Sequence, residues 1–400
     1  MDSDALVIGA GPSGLLAAKT IASRGFSVRI LEEHAKVGVP SHCAGLISVE
    51  GLKRIGVEAS GSFVQNTITG GRIYSPDGQY VEIKDRRPRA HVIDRTALDQ
   101  RLAELAVDVG AELTTGVRAE RLTLSDGCVT GASGAGWVEE ARLVIDAEGP
   151  SRRLAREAGV INNGRAPLLG VNTEIGCDVD ADIVEVWFGE ETAPGFFAWV
   201  IPTSGNQARV GLATKSGDPT KFLAGFVKKR FGDTKYLPPR AGQVLVEGPV
   251  NKSSFPGLLL VGDAAGHVKP TTGGGVVLGG LCAIEAGKTA VKALETGDTS
   301  TKTLGEYDEA WRRLYGSEFR SMQTLRSLAD RVSDARMNRF FRVFRDAGLG
   351  DRVNELVAEG DMDLQEGVIR RALSEPGIMK AAIGGLGRLA LAELRGLVNL

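Results

Sequence analysis

Residues able to do chemistry cluster first in a glycine-rich turn close to the start of the chain. An apolar run from Ala5 to Ile8 leads into the turn, a helix-forming segment follows it, and its glycines stand at positions 9, 11 and 14. The first glycine permits the tight turn, the second lets the backbone approach a pyrophosphate, and the third lets helix and strand pack closely. Free N–H groups at the start of the helix then face the anion. The pattern predicts a dinucleotide site with turn contacts at Gly9, Gly11, Pro12, Ser13 and Gly14.

An acid at the end of the second strand would complete such a site. A helix over 14–24 leads into an apolar strand over 27–31, and Glu32 and Glu33 follow it. They lie about 20 residues beyond the glycines, where a carboxylate can accept hydrogen bonds from both ribose hydroxyls. We predict that Glu32 and Glu33 contact the cofactor and that Glu32 binds the ribose. A solvated pair of acids at a strand end is the alternative.

Two later apolar strands also end in acids and glycines. One runs from Arg142 into Asp146, and the other runs from Leu258 into Asp263 and then into a glycine cluster that opens a helix through about Leu294. Acids at strand ends and glycines at a helix start again suit sugar and phosphate groups. For the first strand end, a surface turn is the alternative. The predicted contacts are Asp146, Gly149, Gly262, Asp263, Pro270, Gly273, Gly274, Gly275 and Val276.

A loop of small residues after the second strand carries His42 and Cys43. Lone histidines and cysteines are usually structural, but this loop follows the nucleotide unit at the point where the chain should cross the cofactor. We predict cofactor contacts at Cys43, Ala44 and Gly45, and a substrate contact at His42.

Composition limits the classes of function. The chain has 400 residues, of which 42% are hydrophobic, and can form two or three structural domains. A formal net charge of −2 gives no general attraction to nucleic acid. The four cysteines lack metal-ligand spacing, which predicts no metal site and free thiols in a reducing cytoplasm. We expect neither a signal peptide nor a membrane-spanning run, and attachment to a membrane surface stays open.

The elements that follow predict a second, β-rich region and a helical C-terminal part. A hairpin is expected with strands over 72–74 and 79–83, and residues 166–254 alternate and turn like an antiparallel sheet. From about 301 the chain is mostly helical, with an apolar tail beyond Pro376. Residues 312–345 hold nine arginines against three acids. This excess indicates either a solvated helical face or a dock for anionic lipid headgroups or an acidic electron-transfer partner.

Only one glycine-rich motif follows a strand and carries a ribose acid, so we expect one dinucleotide site and no second domain for a nicotinamide. A cofactor that stays bound and is re-reduced by a visiting donor fits best, which indicates FAD.

The chain resembles the glutathione-reductase-type FAD fold of the p-hydroxybenzoate hydroxylase group. Within it, the chain resembles the geranylgeranyl reductases, and more narrowly the archaeal digeranylgeranylglycerophospholipid reductases. The resemblance covers almost the whole chain and is carried by the glycine turn with Glu32 and by residues 40–46, 194–202 and 262–275. The family pattern Pro-x-x-Tyr-x-Trp-x-Phe-Pro is met at Pro194, Trp199 and Pro202, with Phe197 in place of the Tyr and Ile201 in place of the Phe.

This resemblance implies an α/β protein, α+β overall, with a Rossmann FAD domain, an antiparallel β-sheet substrate domain and a C-terminal helical region. We expect the discontinuous FAD-binding domain at 1–45, 85–165 and 255–300, the substrate domain at 46–84 and 166–254, and the helical region at 301–400. The resemblance also implies that Asp263 holds the ribityl chain, that Arg95 contacts the cofactor, and that the backbone of Gly273–Gly275 lies beside the isoalloxazine.

By resemblance, the expected activity is that of an FAD-dependent oxidoreductase acting on CH–CH groups. It would saturate the C=C bonds of geranylgeranyl chains on an archaeal-type glycerol ether phospholipid, in membrane lipid biosynthesis. Its expected partners are that lipid, an external electron donor such as ferredoxin or NAD(P)H, and a membrane surface, with no nucleic acid. We expect a cytoplasmic location, peripheral at the inner membrane surface.

An aromatic cluster would suit the prenyl chain. We predict substrate contacts at Phe197, Trp199 and Pro202, with Phe196 in the same cluster. Strand alternation would let at most part of the cluster line one cavity, and core packing is the alternative. An isolated alkene is a poor hydride acceptor. We therefore hypothesise that proton transfer assists the hydride, that ring faces stabilise cationic charge, and that Cys43 is a candidate catalytic proton source.

Two other functions stay open from the residues. Residues 197–202 nearly match the halogenase pattern Trp-x-Trp-x-Ile-Pro, which favours a flavin-dependent monooxygenase or halogenase acting on an aromatic substrate. The third possibility is a non-catalytic flavin- or lipid-binding protein.

Overall fold

The computed structural model describes residues 3–161, 166–358 and 360–387, in which three β-sheets are flanked by helices. In chain order the strands are β1 (Ser3–Ile8), β2 (Val28–Glu32), β3 (Leu46–Ser48), β4 (Val64–Ile68), β5 (Gly70–Tyr74), β6 (Tyr80–Lys84), β7 (Ala90–Ile93), β8 (Glu112–Thr115), β9 (Arg121–Ser125), β10 (Cys128–Gly134), β11 (Trp137–Asp146), β12 (Leu168–Gly176), β13 (Ile183–Phe188), β14 (Phe197–Pro202), β15 (Gln207–Thr214), β16 (Arg240–Val244), β17 (Ser254–Phe255) and β18 (Leu258–Leu260). The helices are α1 (Pro12–Ala22), α2 (Val49–Arg54), α3 (Arg95–Val107), α4 (Arg153–Glu157), α5 (Pro219–Phe231), α6 (Val276–Thr296), α7 (Thr301–Ala329), α8 (Asp334–Asp346), α9 (Gly350–Ala358), α10 (Glu366–Ser374) and α11 (Pro376–Leu386).

The first sheet has a parallel core in the order β8, β2, β1, β11 and β18. Its central strand β1 is buried on both faces, because Ala5 and Val7 pack in one hydrophobic core and Leu6 and Ile8 in another. Strands buried on both faces read as continuous apolar runs, as this one does. Strand β17 pairs antiparallel at one edge, and β9 and β10 extend the sheet antiparallel from β11. The carboxyl ends of β1, β11 and β18 therefore lie side by side.

The second sheet has seven strands in the order β16, β12, β15, β14, β13, β5 and β6. All of its pairs are antiparallel except β13 with β5. A small third sheet, β3, β7 and β4, lies beside it, and Ile68 and Val92 of the small sheet share a core with Ile201 of β14.

Several expected elements are confirmed. The first helix covers Pro12–Ala22, two residues earlier than the predicted 14–24, because Pro12 can occupy the first helical position. The predicted hairpin is present as β5 and β6, and residues 168–244 supply antiparallel strands of the second sheet. The exact division into domains stays a prediction.

The helical part after residue 300 begins with α7, a helix of 29 residues that packs against α6 and buries Tyr307, Trp311 and Phe319. Helices α8 and α11 pack together, and α10 contacts α7, α9 and α11. The predicted apolar tail lies partly at 388–400, outside the described residues. Among the described helices, none is both long and apolar enough to cross a bilayer.

Candidate functional site

A cavity of about 800 Å³ lies where the carboxyl ends of β1 and β18 meet the second sheet. Its wall is formed by the glycine turn after β1, the loop around Cys43, strands β13, β14 and β16, the start of α6, and a C-terminal segment near Met362. One space therefore adjoins the predicted cofactor residues and the predicted aromatic residues.

The glycine turn is packed tightly towards the sheet and open towards the cavity. Gly9 has a φ of +101°, and a Cβ there would lie 2.4 Å from the Ala147 carbonyl oxygen. A Cβ on Gly14 would lie 2.1 Å from the Gly9 carbonyl oxygen, whereas a Cβ on Gly11 would meet no atom within 4 Å. Gly11 is the N-cap of α1 and has no side chain to occupy the first N–H groups of the helix. This geometry fits the pyrophosphate of a dinucleotide.

The two acids after β2 differ in placement. Glu32 is 9% exposed, and its Oε2 accepts a hydrogen bond of 2.9 Å from the Ala10 N–H, beside the glycine turn. Its Oε1 accepts hydrogen bonds from the backbone and the ring of His34. Glu33 is half exposed and pairs with Arg118 at 3.3 Å. Neither acid is among the residues that line the cavity, but Glu32 is fixed against the glycine turn. Glu32 therefore stays the predicted ribose acid, and the cofactor contact of Glu33 also stays a prediction.

The end of β18 lies at the cavity as expected. Asp263 lines it, and burial raises the pKa of this carboxyl, while Arg95 and Arg152 act in the opposite direction. Contacts around this carboxyl are close, since a Cβ on Gly275 would lie 2.7 Å from Asp263 Oδ1. Gly262 is packed just as closely against Ser13, because a Cβ at 262 would lie 2.5 Å from the Ser13 Oγ. The glycine turn at Gly11, the end of β18 at Asp263 and the loop Gly273–Gly275 before α6 line one continuous surface, which we call the FAD cradle.

The end of β11 places one predicted contact residue away from the cavity. Asp146 is fully buried and does not reach the cavity. Its Oδ1 accepts a hydrogen bond of 3.0 Å from the Glu148 N–H, and Oδ2 has no partner among the described residues. Burial, with the nearby Glu148 carboxylate, raises the pKa of Asp146 well above its usual range. Gly149 and Pro150 line the cavity instead, and Pro270 is buried without lining it.

Arg95 lies in the cavity wall at the start of α3, beside Cys43. Its Nε donates to Asp99 Oδ1 at 2.7 Å, and its guanidinium lies near enough to Cys43 for the two to interact electrostatically. Burial opposes the charge, but Asp99 and Cys43 outweigh it and raise the pKa of Arg95. Burial and the Arg95 charge act in opposite directions on Asp99, and the net effect raises its pKa. A cation is thus held permanently next to the cysteine.

The second sheet fixes the Cys43 loop from the other side. Arg209 of β15 donates to the Ala44 carbonyl at 2.9 Å, and Asn172 of β12 donates to the His42 carbonyl at 2.8 Å. Cys43 Sγ accepts a hydrogen bond of 3.3 Å from the Gly45 N–H. Burial and the charges of Arg240 and His34 lower the pKa of His42, so its ring is neutral near pH 7. The predicted loop residues 42–45 all line the cavity.

The aromatic cluster contributes more to the cavity than expected. The rings of Phe196 and Phe197 stack at 4.1 Å, and Trp199 meets Phe197 edge-on at 6.2 Å. All three line the cavity, which corrects the expectation that at most part would do so. The reason is that Phe196 precedes β14 and is free of strand alternation. Pro202, at the far end of β14, does not line the cavity, and its carbonyl accepts a hydrogen bond from Asn66.

Sequence reasoning missed the C-terminal contribution. Side chains of α9, α10 and the segment between them line the cavity, among them Val357, Met362, Val368 and Ile369. No motif marks them, and they approach the cavity only through long-range packing. Arg89 was also missed because it belongs to no motif, and Lys269, although it lies within the 262–275 stretch, was given no role.

Comparisons with known proteins agree with this geometry. The family model described as FAD binding domain matches residues 2–221. The digeranylgeranylglycerophospholipid reductase of Methanosarcina acetivorans is 35% identical over 333 aligned positions, which cover 79% of this chain and 82% of that protein. A crystal structure of a geranylgeranyl bacteriochlorophyll reductase-like protein from Thermoplasma acidophilum has a TM-score of 0.82 at 24% identity and covers 99% of both chains.

Other flavoproteins share only the fold. A triple mutant of a flavin-dependent brominase has a TM-score of 0.67 at 16% identity, covering 89% of this chain and 94% of that one. The comparisons confirm the expected fold class, a mixed α/β fold with an FAD domain and a C-terminal helical region. They also confirm FAD as the cofactor, which fits the cradle of Gly11, Asp263 and Gly273–Gly275.

Proposed function

The chain belongs to the digeranylgeranylglycerophospholipid reductase family of FAD-dependent oxidoreductases, and on this premise we propose that it saturates the C=C bonds of geranylgeranyl chains on a glycerol ether phospholipid. The reaction would serve the biosynthesis of archaeal-type membrane lipids. The observation that carries the proposal is the single cavity in which the FAD cradle continues into an aromatic and aliphatic wall.

The aromatic wall of the cavity suits the reduction of an isolated alkene. Bound FAD, once reduced, supplies the hydride. An isolated alkene has no carbonyl to accept the electrons, so a proton must reach the other carbon of the double bond. The ring faces of Phe196, Phe197 and Trp199 stabilise positive charge that develops on the chain and keep water away from it.

The other residues of the site have separate roles in binding FAD, donating the proton and contacting the substrate. The glycine turn and the N-terminus of α1 hold the pyrophosphate, Glu32 binds the ribose, and Asp263 takes the ribityl chain. Cys43 faces the cavity and is the proposed proton donor to the alkene, with Arg95 and Asp99 fixing its place. His42 adds a neutral ring to the substrate side.

A reductase acting on a lipid requires a lipid substrate and an external electron donor. We propose ferredoxin or a nicotinamide as the donor, since the described residues contain one dinucleotide cradle. We also propose that the protein works at the cytoplasmic face of a membrane, where its substrate resides. The arginine-rich stretch over 312–345 supports this location, because its surplus of positive charge is attracted to anionic headgroups.

The test uses purified enzyme under anaerobic conditions, with dithionite as the electron source and a digeranylgeranylglyceryl phospholipid as substrate. We expect the lipid mass to rise by two hydrogens for each double bond reduced. The competing monooxygenase or halogenase activity predicts no change in the lipid, and turnover only when oxygen and an aromatic substrate are supplied. A non-catalytic carrier would bind the lipid and leave its mass unchanged under both conditions.

A further inference from the structure

A C-terminal roof covers part of the cavity. We use this name for residues 357–358 and 360–369, which include the end of α9 and the start of α10. Val357, Met362, Val368 and Ile369 of the roof line the cavity, and Met362 packs in the same cluster as Trp199. The roof therefore belongs to the same wall as the aromatic rings, although more than 150 residues separate them in the chain.

A buried ion pair joins the roof to Lys269, which holds the flavin loop, our name for Gly273–Gly275, whose backbone is expected to lie beside the isoalloxazine. Lys269 Nζ lies 2.5 Å from Asp363 Oδ1, and the two side chains are only 8% and 6% exposed. Asp363 Oδ2 accepts a hydrogen bond of 3.3 Å from the Ser48 N–H. Burial favours the neutral acid, but Lys269 and Ser48 outweigh it and hold the pKa of Asp363 below its usual range. The Asp363 carboxyl is therefore ionised at neutral pH, and both side chains are shielded from water.

Two glycines leave the space that this pair occupies. A Cβ on Gly51 would lie 2.5 Å from Asp363 Oδ2, and a Cβ on Gly274 would lie 2.9 Å from Lys269 Cε. The pair is thus accommodated by small residues on both sides, including one from the glycine cluster that opens α6.

Lys269 also holds the flavin loop through its backbone. Its N–H donates to the Gly274 carbonyl at 3.0 Å, and its carbonyl accepts a hydrogen bond of 2.7 Å from the Gly273 N–H. Lys269 therefore contacts the loop with its main chain and the roof with its side chain.

Other bonds hold the roof to the body of the protein. The Arg89 guanidinium donates to the carbonyls of Val357 and Ala358 at 2.7 and 2.8 Å, and also to the Gly360 carbonyl. Thr271, next to the flavin loop, donates to Gln365 at 2.8 Å. Two side-chain links run from the loop region to the roof, Thr271–Gln365 and Lys269–Asp363. The second joins two charged groups and is the more deeply buried of the two.

We propose that Lys269 is a positioning residue that fixes the C-terminal roof to the flavin loop through Asp363. The fixed roof thereby holds the polyprenyl chain in its reactive position beside the flavin. The part that concerns the chain rests on the proposed function. The attachment of the roof to the loop does not. Without Lys269, Asp363 would be left as an uncompensated buried charge, and the roof would move to hydrate it. The glycine turn and Glu32 lie on other elements, so FAD binding should survive.

The test compares Lys269→Met and Asp363→Asn with the control Lys292→Met, which removes the same charge from the exposed Lys292–Glu306 pair on α6 and α7. Trypsin cleavage near the roof, at Arg352, Arg370 and Arg371, is followed by mass spectrometry in the FAD-free and FAD-loaded proteins. Iodide quenching of flavin fluorescence measures access of solvent to the cavity.

We expect cleavage to be about tenfold faster and iodide quenching stronger in both single variants, because the roof opens locally. With dithionite and a digeranylgeranylglyceryl phospholipid, KM should rise about tenfold while kcat falls by less than about threefold, since binding is lost more than chemistry. The control should match the unmodified protein. The double variant Lys269→Met with Asp363→Leu replaces the pair by apolar side chains and should recover most of the resistance to trypsin, as buried ion pairs often tolerate that exchange.

Unchanged cleavage, quenching and KM in both single variants would overturn the proposal. Loss of FAD binding with a trypsin-resistant roof would also overturn it, because the pair would then support the cofactor alone. If Lys269→Met fails to fold, the near-isosteric Asp363→Asn decides. If the unmodified enzyme leaves the lipid unreduced, the proposed function fails, while the trypsin and iodide results still decide whether the pair attaches the roof.

Discussion

Alanine at two neighbouring glycines of the cofactor turn should have opposite effects on stability and on FAD binding. Gly14→Ala should weaken the fold of the FAD-free protein, whereas Gly11→Ala should leave that fold intact and weaken FAD binding. The two positions are three residues apart and receive the same methyl group, so each variant is the control for the other.

The magnitude at Gly14 comes from two opposing terms. Alanine in place of glycine inside a helix gains ~1 kcal/mol in helix propensity. The new Cβ would stand 2.1 Å from the Gly9 carbonyl oxygen and 3.0 Å from the Ala147 Cβ. The first of these is a backbone atom that cannot rotate away, so α1 must move off β1, at a cost of ~3 kcal/mol. We therefore expect a net loss of ~2 kcal/mol in the free energy of unfolding.

At Gly11 the same methyl group meets no protein atom within 4 Å, and the φ of −76° suits alanine. The free energy of unfolding should fall by ~0.5 kcal/mol or less, which reflects the poorer N-cap. The Cβ instead enters the space where the pyrophosphate approaches the backbone. The dissociation constant for FAD should rise ~100-fold, equivalent to ~2.7 kcal/mol.

Urea unfolding of the FAD-free proteins, followed by far-UV circular dichroism, measures the first effect, and fluorescence titration with FAD measures the second. This prediction is refuted if Gly11→Ala binds FAD as tightly as the unmodified protein. It is equally refuted if FAD-free Gly14→Ala is as stable as the unmodified protein.

Further predictions concern the proton donor, a buried hydrogen-bond network and acid stability. Cys43→Ser should bind FAD normally but reduce prenyl lipid at least ~100-fold more slowly, since the proton source is lost; full turnover would remove Cys43 from the mechanism. Asp308 accepts hydrogen bonds from Ser253, Ser254 and Trp311, so Asp308→Ala should lower the free energy of unfolding by ~3 kcal/mol in urea melts, and a loss below ~1 kcal/mol would contradict that account. Burial lowers the pKa of His267 to about 3. As the pH falls below about 6.5, His267 is therefore protonated in the unfolded chain while it is still neutral in the folded protein. Stability should then fall by ~1.4 kcal/mol per pH unit from this group, and His267→Phe should show a correspondingly flatter loss between pH 6.5 and 4; equal slopes would refute it.

Local patterns marked the residues of the proposed cofactor half of the site. The glycine turn and Glu32 lie within one continuous strand, turn, helix and second strand, where sequence spacing sets geometry directly. Strand ends were harder to interpret. Asp146 is the last residue of the buried strand β11, whereas Asp263 lies three residues beyond β18, and only Asp263 lines the cavity.

The substrate half depends on long-range packing that no local pattern contains. Lys269 and Asp363 are 94 residues apart, and neither has neighbours in sequence that mark it as part of an ion pair. Phe196 was expected to follow strand alternation, but its strand begins one residue later, so its ring turns into the cavity beside Phe197. Such outcomes require the assembled sheets and helices.

The most direct test of the central claim is a single turnover by the reduced enzyme. Dithionite-reduced enzyme, freed of excess reductant, is mixed anaerobically with a digeranylgeranylglyceryl phospholipid or with its fully saturated counterpart, and the visible absorbance of the flavin is recorded. We expect reoxidation of the flavin with the unsaturated lipid alone, with one double bond lost for each flavin reoxidised. A flavin that stays reduced with both lipids, or that reoxidises equally with both, would contradict it.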